Sequence, residues 1–371
     1  MSEPPEGAGR ILCIRLSGLG DVVHALNALA LLRAERPRAR ITWVVEDRFA
    51  GVLRGHPHID ELVVVPRGLW GGWARNPVRW PRLLAEARRM GRRLRGGAFD
   101  VSLDFQSSLK SAWLVAAARA ARRIGFGPPV AREWNRLAQT ELVQAPLSGI
   151  HRIERDVALL GPLGIASRLL PAALPFDEEL AREARRICEG LSRPLVVMHP
   201  GSSRFAAFKR WPPERYAALA DRLAEAVGAG VLITWGPGEQ GLAEEAVGGM
   251  RRGGRMAPGL RGLEGLTHVL READLFVGGD TGPTHIAAAL RTPVVALFGP
   301  KDPVQTGPFG GRAEVVVAPV DCRPCRKRRC RDRRCMLQIG VQAVFGACCR
   351  VLDGGGESRV PHGDRSPGPS L

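Results

Sequence analysis

The feature that most constrains this chain is an apolar run of strand length that keeps returning, each time followed by a Gly/Ser-rich turn and a stretch of helical periodicity. Ile11–Leu16 leads into Ser17-Gly18-Leu19-Gly20-Asp21 and then a helical pattern over Val22–Arg33. Ile41–Val45, Leu62–Val65 and Phe99–Asp104 follow, the last leading into Gln106–Ala121. Runs that are apolar on both faces suit strands of a parallel sheet covered by helices, and their alternation with helices predicts a doubly wound α/β fold.

The pattern restarts after residue 190. Pro194–Met198 precedes His199-Pro200-Gly201-Ser202-Ser203, and Val231–Trp235 precedes Gly236-Pro237-Gly238. Leu275–Val277 leads into Gly278-Gly279-Asp280-Thr281-Gly282-Pro283, and Pro293–Phe298 ends at Gly299-Pro300. At 371 residues the chain is long enough for two domains. The expected organisation is two Rossmann-like domains, 1–170 and 171–353, joined through the stretch that carries Pro162, Pro171 and Pro175. Residues 354–371, rich in Gly, Pro and Ser and without periodicity, read as a disordered tail.

No apolar stretch reaches the ~18–20 residues of a membrane span. Met1–Arg10 is polar and lacks the pattern of a secretory signal, so the cytoplasm is the expected compartment. The net charge is +17, and only Lys110, Lys209, Lys301 and Lys327 are lysines. That balance reflects either a bias toward arginine or contact with polyanions such as nucleic acid, anionic lipid headgroups or phosphorylated sugars.

Ligands of open α/β sheets bind at the carboxyl ends of strands, where helix N-termini present their amides. Three such loops carry polar groups. Asp21 stands at the first, either as a helix cap or as a carboxylate able to accept a proton from an alcohol. In His199–Arg210, Gly201, Ser202 and Ser203 suit a phosphate, and Lys209 is either a solvated lysine or a cation that neutralises a leaving diphosphate. In Gly278–His285, the amides of Thr281 and Gly282 are placed to donate to phosphate oxygens. Asp280 would repel a diphosphate there, so it is expected to cap the helix or bind a hydroxyl. A GxGxxG with an acid ~20 residues on is missing, as is GxxxxGK[ST], which argues against a nicotinamide enzyme and a nucleoside triphosphatase.

Two further segments stand out. Cys322, Cys325, Cys330 and Cys335 have metal-ligand spacing among eight basic residues, resembling a zinc knuckle with Cys in place of His. No aromatic residue accompanies them for base stacking, and a reduced loop of the second domain is the other reading. Arg67–Trp80 mixes Trp70, Trp73 and Trp80 with arginines, which suits a membrane interface or a helix with a solvated basic face.

Taken together, Ile11–His24 (ILCIRLSGLGDVVH), Asp104–Ser111 (DFQSSLKS), Gly125–Phe126 with Arg132–Glu133, and the loops at His199, Gly236 and Asp280 resemble the bacterial heptosyltransferases of glycosyltransferase family 9. The resemblance runs in order from about residue 10 to residue 350. It implies a GT-B fold, two Rossmann-like domains facing across a cleft, and an inverting, metal-independent transfer of heptose from ADP-heptose to the lipopolysaccharide inner core. It places the catalytic carboxylate on Asp21 and the diphosphate lysine on Lys209. The nucleotide loop falls on Asp280, Thr281, Gly282 and His285, and Glu239 lies in the loop that in relatives approaches the nucleoside; Gly201 and Ser202, read above as suited to a phosphate, complete the candidates for the donor. Gln106, Lys110 and Arg132 are the candidates for holding a phosphorylated acceptor. The expected partners are ADP-heptose, the phosphorylated core acceptor and, peripherally, the inner leaflet of the inner membrane. No cofactor is expected, nor nucleic acid, and a monomer is expected. The alternative is a nucleic-acid-binding protein that uses the Cys322–Cys335 knuckle and the basic surface. A transferase needs both the acid at the first turn and the lysine after the second domain's first strand, whereas a knuckle protein needs neither.

Overall fold

The computed structural model describes residues 9–131, 134–325, 327 and 330–355, and divides the chain into two compact units, one ending at Pro175 and one beginning at Phe176. The division falls within the proline-bearing stretch. Arg132, Glu133 and the tail from 356 onward lie outside the described residues.

In the first unit β1 (Arg10–Ile14), α1 (Leu19–Glu35), β2 (Arg40–Glu46) and β3 (Glu61–Val65) precede α2 (Arg67–Ala74), α3 (Trp80–Gly96), β4 (Val101–Asp104) and α4 (Leu109–Ala118). β5 (Arg122–Phe126), β6 (Glu141–Val143) and α5 (Arg152–Ala158) complete it. All six strands pair in parallel in the order β3-β2-β1-β4-β5-β6. The order reverses between β1 and β4, the place where such sheets open a crevice at their carboxyl ends. Leu12, Ile14, Val44 and Val63 of the strands pack with Met90 and Leu94 of α3 and Leu114 and Val115 of α4. Trp43, fully buried, stacks on Phe105 at 6.0 Å. α1 is buried from Val22 to Leu32, polar His24 and Asn27 included.

The second unit runs α6 (Glu178–Cys188), β7 (Leu195–His199), α7 (Pro213–Val227), β8 (Gly230–Ile233), α8 (Gln240–Gly248), β9 (Arg255–Met256), α9 (Gly262–Glu272) and β10 (Leu275–Gly279). It ends with α10 (Gly282–Ala289), β11 (Val294–Phe298), α11 (Pro303–Thr306), β12 (Ala313–Val317), α12 (Arg334–Leu337) and α13 (Val341–Leu352). Its parallel sheet has the order β12-β11-β10-β7-β8-β9, with the reversal between β7 and β10. Met198, Val231 and Val277 pack with Trp211, Tyr216 and Leu219 and with Val344, Ala347 and Val351 of α13. Trp211 Nε1 donates to Ile339 O at 2.8 Å, which ties the start of α7 to the chain just before α13.

All eight apolar runs read from the sequence are strands. β5, β6, β9 and β12 add to them. Among the described residues no helix is long and apolar enough to cross a membrane. Leu12 is fully buried at the centre of its sheet, so Leu12→Ala is expected to lower unfolding free energy by about 2–5 kcal/mol, read as a reduced urea midpoint of the first unit's transition.

Candidate active site

Strand register builds the first unit's site. Ile14 pairs with Asp104, so the turns after β1 and β4 leave the sheet side by side. Gln106 exploits this: its Oε1 accepts from the amides of Leu16 and Ser17 at 3.0 and 3.1 Å, and its Nε2 donates to Ser17 Oγ at 3.2 Å. Gln106 thus clamps the β1–α1 turn, and its amide is engaged inside the protein. The turn is fixed from below by buried Asp104, which accepts from the amides of Gln106 and Ser107 and from Asn135 and Gln139.

Asp21 lies in the first turn of α1, not at its capping position, which is held by Gly18. Its carboxylate faces two guanidinium groups. Arg15 Nη2 is 2.9 Å from Oδ2, and Arg152, at the start of α5, donates to Oδ1. Arg15 is held in place by donating to Phe105 O and is 7% exposed, whereas Asp21 and Arg152 are 24% and 33% exposed. Burial pushes the Asp21 carboxyl upward, but Arg15, Arg152 and then Arg155 outweigh it and hold the group well below the usual carboxylate range. Gly18 makes the arrangement possible: its φ is 84°, and a Cβ there would lie 2.5 Å from Asp21 Oδ2.

Behind this node Asp156 is fully buried. Its burial pushes the pKa up, Arg15 and Arg155 pull it back and Asp21 adds to the rise, leaving it at about 6. Lys110, in the first turn of α4, approaches Glu46 at the end of β2. Glu46 is buried, yet Arg48 Nη2 lies 2.8 Å from its Oε2, with Arg67 Nε and Lys110 Nζ 3.7 and 3.8 Å from its Oε1. One buried acid therefore gathers three cations at the carboxyl edge of the sheet. Arg132 lies outside the described residues.

The second unit's site follows the same rule. His199 pairs with Gly278 and Met198 with Ile233, which brings together the turns after β7, β10 and β8. Lys209 Nζ donates to Asp280 Oδ2 at 2.5 Å and to Asp280 O at 3.3 Å. His285 Nε2 is 3.6 Å from Asp280 Oδ1. Burial pushes Asp280 upward, but His285 and Lys209 outweigh it and set the group at about 2. Asp280 therefore does not occupy the capping position of α10, contrary to one expectation; its carboxylate is the counter-ion of Lys209. Thr281 occupies the cap position of α10 with no side-chain cap bond, so the amides from Gly282 open the helix. Glu239 accepts from Gly236 N at 2.9 Å and lies 3.2 Å from His199 Nε2. Gly201 leaves the space that Glu239 fills, because a Cβ there would run into Glu239 Oε2. Ser202 is turned inward: its hydroxyl donates to Ala206 O at 3.0 Å and accepts from Arg210 Nε at 3.1 Å.

The cysteine segment is part of this unit. Arg323 donates to Gly299 O and to Lys301 O, Cys325 N donates to Pro300 O at 2.7 Å, and Cys335 and Met336 are buried in the core. Arg333 Nη2 donates to Arg210 O at 2.8 Å, beside the Lys209 loop. The described cysteines are free thiols, and among the described residues no three His, Cys, Asp or Glu side chains come together to hold a metal ion.

Sequence reasoning missed Arg15, Arg152, Arg155, Asp156, Glu46 and Arg48. Arg15 gave one signal, a charge between apolar Ile14 and Leu16. Arg152 gave none, being 131 residues from its partner.

The sequence pattern of glycosyltransferase family 9 (heptosyltransferase) matches residues 87–335. The chain is 32% identical to lipopolysaccharide heptosyltransferase 1 of Pseudomonas aeruginosa, over 86% of each protein. It is 27% identical to lipopolysaccharide heptosyltransferase 1 of Escherichia coli K12, over 84% of this chain and 94% of that one. The solved structure of a family 9 glycosyl transferase from Veillonella parvula superposes with a TM-score of 0.79 at 23% identity, covering 95% of this chain and all of the other. The E. coli heptosyltransferase WaaC with ADP superposes with a TM-score of 0.74 at 25% identity, over 92% and 99% of the two chains.

Two outcomes follow from the first unit's geometry. Gly18→Ala is expected to displace the Asp21 carboxylate and destabilise the unit by about 1–3 kcal/mol, from the positive φ and the close approach together; thermal unfolding checks it. For Asp156 the folded pKa lies above the unfolded one, so the folded state binds more protons and this group's contribution to stability declines as pH rises from about 4 through 6. The advantage of the wild type over Asp156→Asn should shrink by about 2 kcal/mol between those limits, measured by urea unfolding at a series of pH values.

Proposed function

The chain belongs to glycosyltransferase family 9, and from that membership we propose that it transfers a heptose from ADP-heptose to a phosphorylated acceptor of the lipopolysaccharide inner core, inverting the anomeric centre without a metal. The observation that carries the reading is that each sheet places one ionic node at its own reversal of strand order. Asp21 stands after β1 beside β4, and Lys209 with Asp280 stands after β7 and β10. Solved relatives of the same fold include a heptosyltransferase bound to ADP.

In this mechanism the acceptor hydroxyl attacks the anomeric carbon as the bond to ADP breaks, and Asp21 takes the hydroxyl proton. The carboxylate is ionised throughout the neutral range but weakly basic, so it receives the proton late, once the sugar carries oxocarbenium character. Both its oxygens face guanidinium groups, so the hydroxyl has to displace one of them. Arg15, buried and bonded to Phe105 O, stays; Arg152, a third exposed, is the partner that yields. Removal of Arg152 from the carboxylate raises the basicity of Asp21 at the moment it is needed.

The leaving ADP is met by Lys209 and by the amides that open α10, with Thr281 and Gly282 nearest the diphosphate. Asp280 holds Lys209 extended until the diphosphate arrives and then shares it. His285 shares the Asp280 carboxylate. Gly201 and Glu239 shape the neighbouring turn, where Glu239 takes a ribose hydroxyl, and Ser202 braces the Lys209 loop through Arg210. On the acceptor side, Arg48, Arg67 and Lys110, aligned by Glu46, offer positive charge to the acceptor phosphates. Gln106 acts by holding the Asp21 turn.

Asp21→Asn is expected to slow transfer about 10²–10⁴-fold while ADP affinity stays within a few-fold; undiminished turnover removes Asp21 from the chemistry. Lys209→Ala should raise the donor KM and lower kcat, by about tenfold or more in kcat/KM. Transfer is expected to survive exhaustive treatment with EDTA, and the product's anomeric configuration, read by NMR, should be opposite to that of the donor.

A further inference from the structure

One buried carboxylate beside the first unit's site takes no part in the transfer as described above. Asp156, in α5, is 1% exposed, and its Oδ1 has no hydrogen-bond partner. A buried carboxylate is ordinarily ion-paired or hydrogen-bonded, because its charge is otherwise costly to hold away from water. The groups around Asp156 are ionic. The end of β1 leads to Arg15, whose Nε is likewise buried without a partner. α5 itself carries Arg152, Glu154 and Arg155, with His151 at its cap. α1, packed on α5, carries Asp21 and His24, and the rings of His24 and His151 meet edge-on at 5.2 Å. From the end of β5 comes an aromatic ring: Arg155 lies over Phe126 at 5.8 Å, and its Nε too is buried and without a partner.

Asp21 and Asp156 thus share one set of guanidinium groups, Arg15, Arg152 and Arg155. Each acid opposes the ionisation of the other, so a negative Asp156 makes Asp21 the stronger base. The effect counts at the moment of transfer. The proton leaves the acceptor hydroxyl as its oxygen bonds to the anomeric carbon, and it ends on Asp21; none passes to Asp156. Neutralising Asp21 leaves the arginines facing Asp156 alone. If Asp156 is ionised, one negative charge remains among them; if it is neutral, none does, and the proton is accepted at greater cost. Burial by itself would keep Asp156 neutral, whereas Arg15 and Arg155 leave it ionised at neutral pH.

We propose that Asp156 is a positioning residue for the transfer that acts through Asp21, its buried negative charge set against Arg15 and Arg155 so that Asp21 can accept the acceptor's proton. The proposal rests on the reading of Asp21 as the base.

The test compares kcat/KM of wild type and Asp156→Asn across pH, because the ratio of the two cancels titration of the acceptor's own phosphates. The ratio is expected to lie near unity where Asp156 is protonated, to rise as pH passes through about 6, and to level off at about tenfold, with the donor KM unchanged. Over the same rise the variant should gain stability relative to wild type, because its neutral side chain is the form that burial favours. A merely structural role would lower rate and stability together by a factor that does not follow pH. A ratio independent of pH would therefore overturn the proposal. A second readout needs neither turnover nor that variant: the ¹³C carboxyl resonance of Asp156, followed by NMR, should titrate about one pH unit lower in Asp21→Asn than in wild type, and an unmoved midpoint would overturn the proposal as well. Undiminished transfer by Asp21→Asn would instead overturn the reading on which the proposal stands.

Discussion

Parallel pairing fixes where chemistry can occur in this protein. In each sheet one reversal of strand order leaves two neighbouring strands whose following chain segments diverge to opposite sides, and register brings their turns to the same level. Ile14 beside Asp104 sets Gln106 against the Asp21 turn, and His199 beside Gly278 sets Lys209 against Asp280. A one-residue slip in either pairing would invert every strand side chain and separate these partners.

Both sites are arrangements of compensated charge. Asp21 has Arg15 and Arg152; Lys209 has Asp280; Glu46 has Arg48, Arg67 and Lys110. Buried ions of this kind are costly unless paired, and pairing holds each group in one place at the expense of its reactivity. A substrate that brings its own charge exchanges partners with such a group and does not have to pull it out of water.

Most of the architecture was legible in the sequence because a parallel sheet buried on both faces writes itself as continuous apolar runs. Three of the four strands that escaped do not; the fourth, β12, carries its own short run at Val315–Val317. β5 begins with Arg122 and Arg123, whose side chains reach Glu141 and Ala138 O, and β6 and β9 are edge strands of three and two residues. Asp21 and Asp280 drew notice because they stand in the short turns that follow apolar runs, and Lys209 because it is a rare lysine in the loop after one. Arg152 and Glu46 were not, since their meaning comes from a partner brought close only by folding. The pairing of Asp280 with Lys209 was not legible either, since the two lie 71 residues apart and meet only on folding.

The acid at the end of β2 separates two properties that a composition merges. Glu46 lowers the positive total of its surroundings, yet it is the fixed point from which Arg48, Arg67 and Lys110 take their bearings. Without it the surface would be more cationic and less organised, three long side chains sampling water independently. On the proposed reading, in which an oligoanionic acceptor is held in one orientation and not merely attracted, the ordering of the cations counts for more than their number.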